Sequence, residues 1–200
     1  ITADKSGLVS CFNIKGKKLW DYDVFGDILV SPSAADGYLA VGTAQGDLTT
    51  IKLKTGESLQ TIGFDEALIT PLLTIDYTGN KRLMVPKTGN SKAAIIIGTE
   101  SGSLYCLDMQ TLEEIWHTKV ITKPILIKPL LLKNKLYFTS TDGYLYCLDS
   151  RDGTLVWKTK IEKIFSSRDA ESQLVTDNTD IYFTTTGGYV YSVNANLGQI

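Results

Sequence analysis

The chain has 200 residues, of which 43% are hydrophobic, and its formal net charge is −2. A chain of this length and apolar content can bury a large core, and we expect one domain. The small net charge argues against nucleic acid as a partner and against general adhesion to membrane surfaces. The sequence contains no run of about eighteen apolar residues and no signal peptide.

Five copies of one short motif follow one another along the chain. Each opens with a glycine and has Leu, Val or another apolar residue at the second and fifth positions after it. The copies are "GLVSCFN", "GDLTTIK", "GSLYCLD", "GYLYCLD" and "GYVYSVN", and they open at Gly7, Gly46, Gly102, Gly143 and Gly188. These glycines are 39, 56, 41 and 45 residues apart. A recurring spacing of this size indicates a repeat protein.

Each repeat predicts four short strands. In residues 123–160, the breaks "KN", "DG" and "RDG" separate the runs "PILIKPLLL", "KLYFTST", "YLYCLDS" and "TLVWKTK". Asp-Gly between such runs favours a hairpin, because glycine supplies the positive φ of a tight turn. No segment has sustained 3.6-residue periodicity, so we expect almost no helix. Four antiparallel strands per repeat are typical of a β-propeller blade, which buries both faces of its sheet against neighbouring blades.

The phrase "GYLYCLDSRDGTLVW" at residues 143–157 resembles the PQQ-type quinoprotein repeat. That repeat reads Gly-x-Leu-Tyr-Ala-Leu-Asp, then two or three residues, then Gly-x-x-x-Trp. Trp116 and Trp157 fall on its tryptophan, Trp20 does so after a one-residue deletion, and Gln60 replaces it in the second copy. WD and kelch repeats fit less well, because Trp-Asp and Gly-Gly each occur once. The resemblance implies an all-β propeller of four-stranded antiparallel blades over essentially the whole chain.

We predict a single propeller domain, residues 1–200, with about five blades, of which the outer two are incomplete. Their approximate bounds are residues 1–24, 25–65, 66–120, 121–162 and 163–200. Propellers of this family usually have seven or eight blades, so the resemblance favours a fragment of a longer protein. A closed five-bladed ring is the alternative, and it needs one blade built from both ends of the chain.

The three cysteines occupy one position of the repeat. Cys11, Cys106 and Cys147 each lie four residues after a repeat glycine, where the other copies have Thr50 and Ser192. Equivalent points on stacked sheets are about 10 Å apart, whereas a disulfide needs Cα atoms within about 7 Å. We therefore expect small buried thiols that take the place of alanine.

The remaining polar candidates also have structural interpretations. His117, the single histidine, lies in a predicted outer strand, where we expect it to be exposed. Asp108 and Asp149 stand six residues after a repeat glycine, a position that holds Asn13 and Asn194 in other copies. Because Asp and Asn both accept hydrogen bonds from turn backbone, we expect these residues to cap turns.

The resemblance raises one catalytic hypothesis. Quinoprotein dehydrogenases hold PQQ on the propeller axis, between a vicinal disulfide and a tryptophan floor, with acidic and amide ligands for calcium. This sequence has no adjacent cysteines, and its tryptophans all stand in the repeat column. We therefore expect no catalytic residue, no cofactor and no metal. A PQQ-dependent or other small-ligand-binding enzyme, or the sensor domain of a larger protein, is the alternative.

The first departure from the repeat is an insertion in the third copy. The excess of about fifteen residues lies in "DYTGNKRLMVPKTGNSKA" at residues 76–93, between the first and second predicted strands. This segment could form an extended hairpin that projects from one face, and loops on a rigid scaffold often bind partners. Its candidate contacts are Tyr77, Arg82, Leu83 and Met84, because aromatic residues, Met and Arg are enriched at interface cores. An insertion that has no role in binding is the alternative.

The second departure is "FSSRDAES" at residues 165–172, where other copies have an apolar run with proline. Arg168, Asp169 and Glu171 replace small or apolar residues there. The phrase is similar to a loop of the BamB family of outer-membrane assembly lipoproteins, which holds a barrel-protein partner through an Arg-containing loop. The resemblance implies that these three residues contact a partner, and a solvated loop is the alternative.

We therefore expect a non-enzymatic scaffold that binds another protein through loops on a propeller face. We expect no contact with nucleic acid and no direct membrane insertion by this chain. The resemblance to BamB implies the bacterial cell envelope, in the periplasm or at the cell surface.

Overall fold

In the computed structural model, residues 1–76, 92–161, 173–185 and 187–200 are described, and they form five antiparallel sheets. Three sheets have four strands, and the first and the last have three. The described residues contain no helix. The all-β prediction with several four-stranded antiparallel sheets is thus confirmed, and we refer to the sheets as blades one to five.

The strands of each blade pair in chain order. Blade one contains β1 (Thr2–Ala3), β2 (Leu8–Phe12) and β3 (Lys18–Asp23). Blade two contains β4 (Ser33–Ala35), β5 (Tyr38–Gly42), β6 (Asp47–Lys52) and β7 (Ser58–Gly63). Blade three contains β8 (Leu73–Asp76), β9 (Ala93–Gly98), β10 (Leu104–Asp108) and β11 (Glu114–Thr118). Blade four contains β12 (Leu130–Leu132), β13 (Lys135–Thr139), β14 (Tyr144–Asp149) and β15 (Leu155–Lys160). Blade five contains β16 (Val175–Thr176), β17 (Asp180–Thr184) and β18 (Val190–Asn194).

The core consists of four apolar clusters, one between each pair of neighbouring blades. The central strand β14 shows how one strand serves two clusters. Its Leu145 and Cys147 pack against blade five, and its Tyr146 and Leu148 pack against blade three. Both faces of β14 are apolar because each is covered by a neighbouring blade.

The repeat glycine lies in the hairpin between the second and third strands of each blade. Gly46 has a φ of +96°, and Phe64, directly after β7, donates its backbone N–H to the Gly46 carbonyl at 2.9 Å. The connection to the next blade therefore crosses the glycine at close range, and a side chain has no room there. The glycine also has positive φ in the other copies, at Gly7, Gly102, Gly143 and Gly188.

The tryptophan of the repeat joins one blade to the next. The Nε1–H of Trp116 donates to the Ser150 carbonyl of blade four at 3.1 Å. Its ring lies so close to Gly153 that a Cβ atom there would be 2.6 Å from the ring. We call this pair of contacts the tryptophan latch. The same latch joins Trp20 of blade one to blade two, at Leu53 and Gly56.

Two junctions depart from the latch. In blade two, Gln60 stands in the tryptophan column, and Leu112 of blade three occupies the glycine position with a φ of +57° and a buried side chain. In blade four, the ring of Trp157 approaches Gly198, but its Nε1 has no hydrogen-bond partner. The Tyr137 hydroxyl instead donates to the Ala195 carbonyl of blade five, at 2.9 Å.

Candidate functional site

The insertion in blade three lies largely outside the described residues. Tyr77, Arg82, Leu83 and Met84 all belong to residues 77–91, which the described part of the chain does not include. The backbone N–H of Lys92, the first described residue after them, donates to the Asp36 carboxylate of blade two at 2.8 Å. Lys92, the described end of the insertion, is therefore held at the turn between β4 and β5.

The second candidate segment also lies outside the described residues, with Arg168, Asp169 and Glu171 among residues 162–172. Both of its described flanks are anchored. Ile161 is buried and donates its N–H to the Gly143 carbonyl at 2.8 Å, and Leu174 is buried in the cluster between blades four and five.

The two candidate segments attach at opposite ends of the strands. Successive hairpins of an antiparallel meander alternate between the two ends of its sheet. The insertion lies between the first and second strands of blade three, whereas residues 162–172 follow a fourth strand. Connections after a fourth strand share their end with the repeat-glycine hairpins, as the bond from Ile161 to Gly143 shows. The fold therefore places the attachment points of the two segments at opposite ends of the strands, which are opposite faces of the propeller.

A polar tie at the repeat-glycine end was missed by the sequence analysis. Ser101 donates its N–H and its hydroxyl to the Glu66 carboxylate, at 2.7 and 2.9 Å. These bonds, mainly the one from the Ser101 hydroxyl, hold the pKa of Glu66 below its usual value. The equivalent tie between blades one and two is the bond from Asp27 N–H to Gln45 Oε1, at 2.9 Å. In the sequence, these ties are indicated only by a polar residue directly before the repeat glycine, Gln45 before Gly46 and Ser101 before Gly102.

The predicted structural roles of the histidine and of the Asp–Asn column are confirmed. His117 is exposed on β11, where its Nδ1 lies 2.6 Å from Glu114 Oε1. Asp108 Oδ1 accepts hydrogen bonds at 2.8 Å from the N–H groups of Gln110 and Thr111. Within the described ranges, no three His, Cys, Asp or Glu side chains cluster closely enough to hold a metal ion.

The three cysteines are free and buried, as predicted, and each belongs to a different inter-blade cluster. Burial raises the pKa of Cys147 to about 11 and raises the pKa of Cys106 further. Because the thiolate is the reactive form, we expect these two thiols to react slowly with electrophiles in the folded protein.

We expect iodoacetamide at pH 8 to alkylate Cys106 and Cys147 about 100-fold more slowly in the folded protein than in urea. Burial limits access to the thiols, and the raised pKa values limit the thiolate fraction. Mass spectrometry of the alkylated peptides over time measures both rates. Equal rates with and without urea would contradict the buried placement.

A cavity of about 490 Å³ lies between the first strands of blades one and two, beside the connection that joins these blades. Its lining combines apolar side chains, among them Ile28 and Leu29, with the charged residues Asp4 and Lys5. The Asp4 carboxylate accepts hydrogen bonds from the Ser6 hydroxyl and from backbone N–H groups, which lower its pKa. The Asp4 carboxylate thus stabilises the turn between β1 and β2.

Comparison with known proteins identifies one family. A family model described as outer membrane protein assembly factor BamB matches residues 85–200. The BamB of Burkholderia pseudomallei is 31% identical over 105 residues, which are 52% of this chain and 25% of that protein. The match therefore spans a quarter of the length of this relative.

Solved structures share the fold. BamB from Moraxella catarrhalis superposes with a TM-score of 0.75 at 20% identity, over 98% of this chain and 58% of that one. Sqt1 from Saccharomyces cerevisiae gives 0.71 at 16% identity, over 98% and 55%. The computationally designed Ika4 protein gives 0.61 at 16% identity, over 84% and 98%. These similarities confirm the predicted β-propeller of four-stranded blades. In the part of the chain that is described, no helix is long and apolar enough to cross a membrane.

Proposed function

The chain belongs to the family of PQQ-like repeat propellers described as outer membrane protein assembly factor BamB, and from this premise we propose that it is a non-enzymatic scaffold in outer membrane protein assembly. The observation that carries the proposal is the family match over residues 85–200. The stacked blades support it, because buried interfaces between neighbouring sheets make a rigid platform for binding loops. As part of the same proposal, we assign the protein to the bacterial cell envelope, in the periplasm or at the cell surface.

Partner binding in this proposal is carried by the two departures from the repeat, residues 77–92 and 165–172. Their attachment points lie at opposite ends of the strands, on opposite faces of the propeller. We infer two separate contacts. The first includes Tyr77, Arg82, Leu83 and Met84, and the second includes Arg168, Asp169 and Glu171.

The double variant Arg168→Ala/Asp169→Ala is expected to weaken capture of a partner from the outer membrane assembly machinery about tenfold. Truncating the two side chains together is expected to cost on the order of 1.4 kcal/mol, which is a tenfold change in the binding constant. Co-purification with the tagged protein and titration against the purified partner measure the loss. The melting temperature should change little, because both flanks of the segment are anchored by Ile161 and Leu174.

A control is Gln60→Ala, an exposed residue in the middle of the outer strand β7, away from both ends of the strands. It should leave capture unchanged. Unaltered capture by the double variant would remove residues 165–172 from the proposal. A shift of the melting temperature on adding PQQ, together with no partner capture, would favour the enzyme alternative instead.

A further inference from the structure

Phe25, in the connection between blades one and two, combines a strained backbone with an exposed ring. Its φ is +56°, and its side chain is 86% exposed. Bulky residues rarely adopt positive φ, because the Cβ atom then lies too close to the following carbonyl oxygen. Among the described residues, the other non-glycine residues with positive φ are buried or stand in hairpins between first and second strands: Leu112, Asp36, Lys133, Asn134 and Asn178. At Phe25, burial of the side chain does not offset the strain.

The strained turn is held by the blades on both of its sides. We call residues 23–27 the Phe25 turn. The carbonyl of Gly26 lies over blade one, where a Cβ atom on Gly7 would be 2.7 Å from its oxygen. On the other side, the N–H of Ala44 in blade two donates to the Asp27 carbonyl at 2.8 Å. The ring is therefore exposed with both flanking blades in place, on a turn whose conformation is fixed.

The surroundings of the ring are acidic. The Phe25 turn and the two hairpins beside it, residues 4–7 and 43–47, contain four aspartates and one lysine: Asp4, Asp23, Asp27, Asp47 and Lys5. The formal charge of these three segments is thus −3. The Asp23 carboxylate accepts the N–H of Phe25 at 2.7 Å, so one acid lies directly beside the strained residue. An apolar side chain among carboxylates is complementary to an apolar pocket with a rim of Lys or Arg.

The Phe25 turn lies at the repeat-glycine end of the strands. The N–H of Val24 donates to the Gly7 carbonyl at 3.0 Å, in the same way that the N–H of Ile161 donates to the Gly143 carbonyl. The turn therefore shares its face of the propeller with the attachment points of residues 162–172. The fold gains little from the ring, because glycine adopts positive φ without strain. Strained residues of this kind cluster at binding sites.

We propose that Phe25 is the anchor of a further protein contact. Its occupant is a subunit of the outer membrane assembly machinery that offers an apolar pocket rimmed by Lys or Arg. The ring enters the pocket, and Asp23 and Asp27 lie against the rim. Because the turn is already fixed, binding does not have to order it. The inference rests on the proposed scaffold function and adds a contact to those at residues 77–92 and 165–172.

The test replaces Phe25 with glycine and measures binding and stability together. We expect Phe25→Gly to weaken binding about thirtyfold, the size of a hot-spot aromatic residue, in titration against the assembly subunit that co-purifies with the unaltered chain. The melting temperature should stay or rise by up to about 2 °C, because glycine relieves the strain. The matched control is Ile14→Ala, a fully exposed apolar residue in the hairpin between β2 and β3, at the opposite end of the strands. It should leave binding unchanged.

A second variant tests the chemistry of the partner. Asp27→Lys reverses a charge beside the ring, and we expect it to weaken binding about tenfold at low salt and less at high salt. Unchanged binding in this variant would overturn the basic rim.

The outcomes separate this contact from the proposed function. If Phe25→Gly binds as the unaltered chain does while Arg168→Ala/Asp169→Ala binds more weakly, the contact is overturned and the scaffold function stands. A fall of the melting temperature by more than about 2 °C in Phe25→Gly would also overturn the contact, because the ring would then support the fold. Failure of the unaltered chain to capture any assembly subunit would overturn the scaffold function itself.

Discussion

Replacing Trp116 with alanine is expected to lower the free energy of unfolding by about 3–5 kcal/mol, the usual cost of deleting a large buried aromatic side chain. The Trp116 side chain is buried in the cluster between blades three and four. Its loss also leaves the Ser150 carbonyl without its donor and opens a space above Gly153. Urea unfolding followed by circular dichroism measures the change.

Trp157→Ala is the matched control for this prediction. Trp157 occupies the same repeat position, but its side chain is only partly buried and its Nε1 has no hydrogen-bond partner. We expect a cost of about 1–2 kcal/mol, which reflects the loss of apolar contact alone. Equal costs at the two positions would show that the latch hydrogen bond and the deeper burial of Trp116 contribute nothing.

The fold was predictable from the sequence because its constraints are local. The glycine before each third strand predicts a hairpin, and the apolar residues of that strand predict a sheet buried on both faces. Both patterns lie within a single repeat. The latch could not be predicted in the same way. Its donor and acceptor, Trp116 and Ser150, are 34 residues apart and belong to different blades.

The exception at the junction of blades two and three shows what the sequence hides. Gln60 looks like a lost tryptophan, and Leu112 looks like a lost glycine. The structure shows Leu112 buried with positive φ, in the cluster that joins these blades. At this junction the apolar side chain comes from Leu112 of blade three, whereas in the latch it comes from a tryptophan of the preceding blade. This junction therefore relies on apolar packing around Leu112 and not on the hydrogen bond of a tryptophan.

The candidate binding residues were predictable only as departures from the repeat. Arg82 and Arg168 stand outside the apolar columns of the repeat, so no periodicity rule identifies what they bind. The sequence also could not show that their segments attach on opposite faces. That result depends on which hairpins share an end of the sheet, as the bond from Ile161 to Gly143 establishes.

Gly46→Ala is expected to cost about 4 kcal/mol of unfolding free energy, which would place it among the most damaging single substitutions. Two effects add. The φ of +96° is unfavourable for any residue with a Cβ atom. In addition, the new Cβ would overlap the Phe64 carbonyl and lie 2.7 Å from the Glu66 carbonyl oxygen. Both atoms belong to backbone, so relief requires moving the connection between blades two and three.

Gly37→Ala in the same blade separates these two effects. Gly37 has a φ of +83°, and a Cβ atom there would meet nothing within 4 Å. It should therefore show only the conformational cost, about 1–2 kcal/mol. The difference between the two variants, measured by urea unfolding, is the cost of displacing the connection that carries Glu66 and its tie to Ser101. If the two costs are equal, the segment between blades two and three moves aside at no cost in free energy. The repeat glycine is then required only for the conformation of its hairpin.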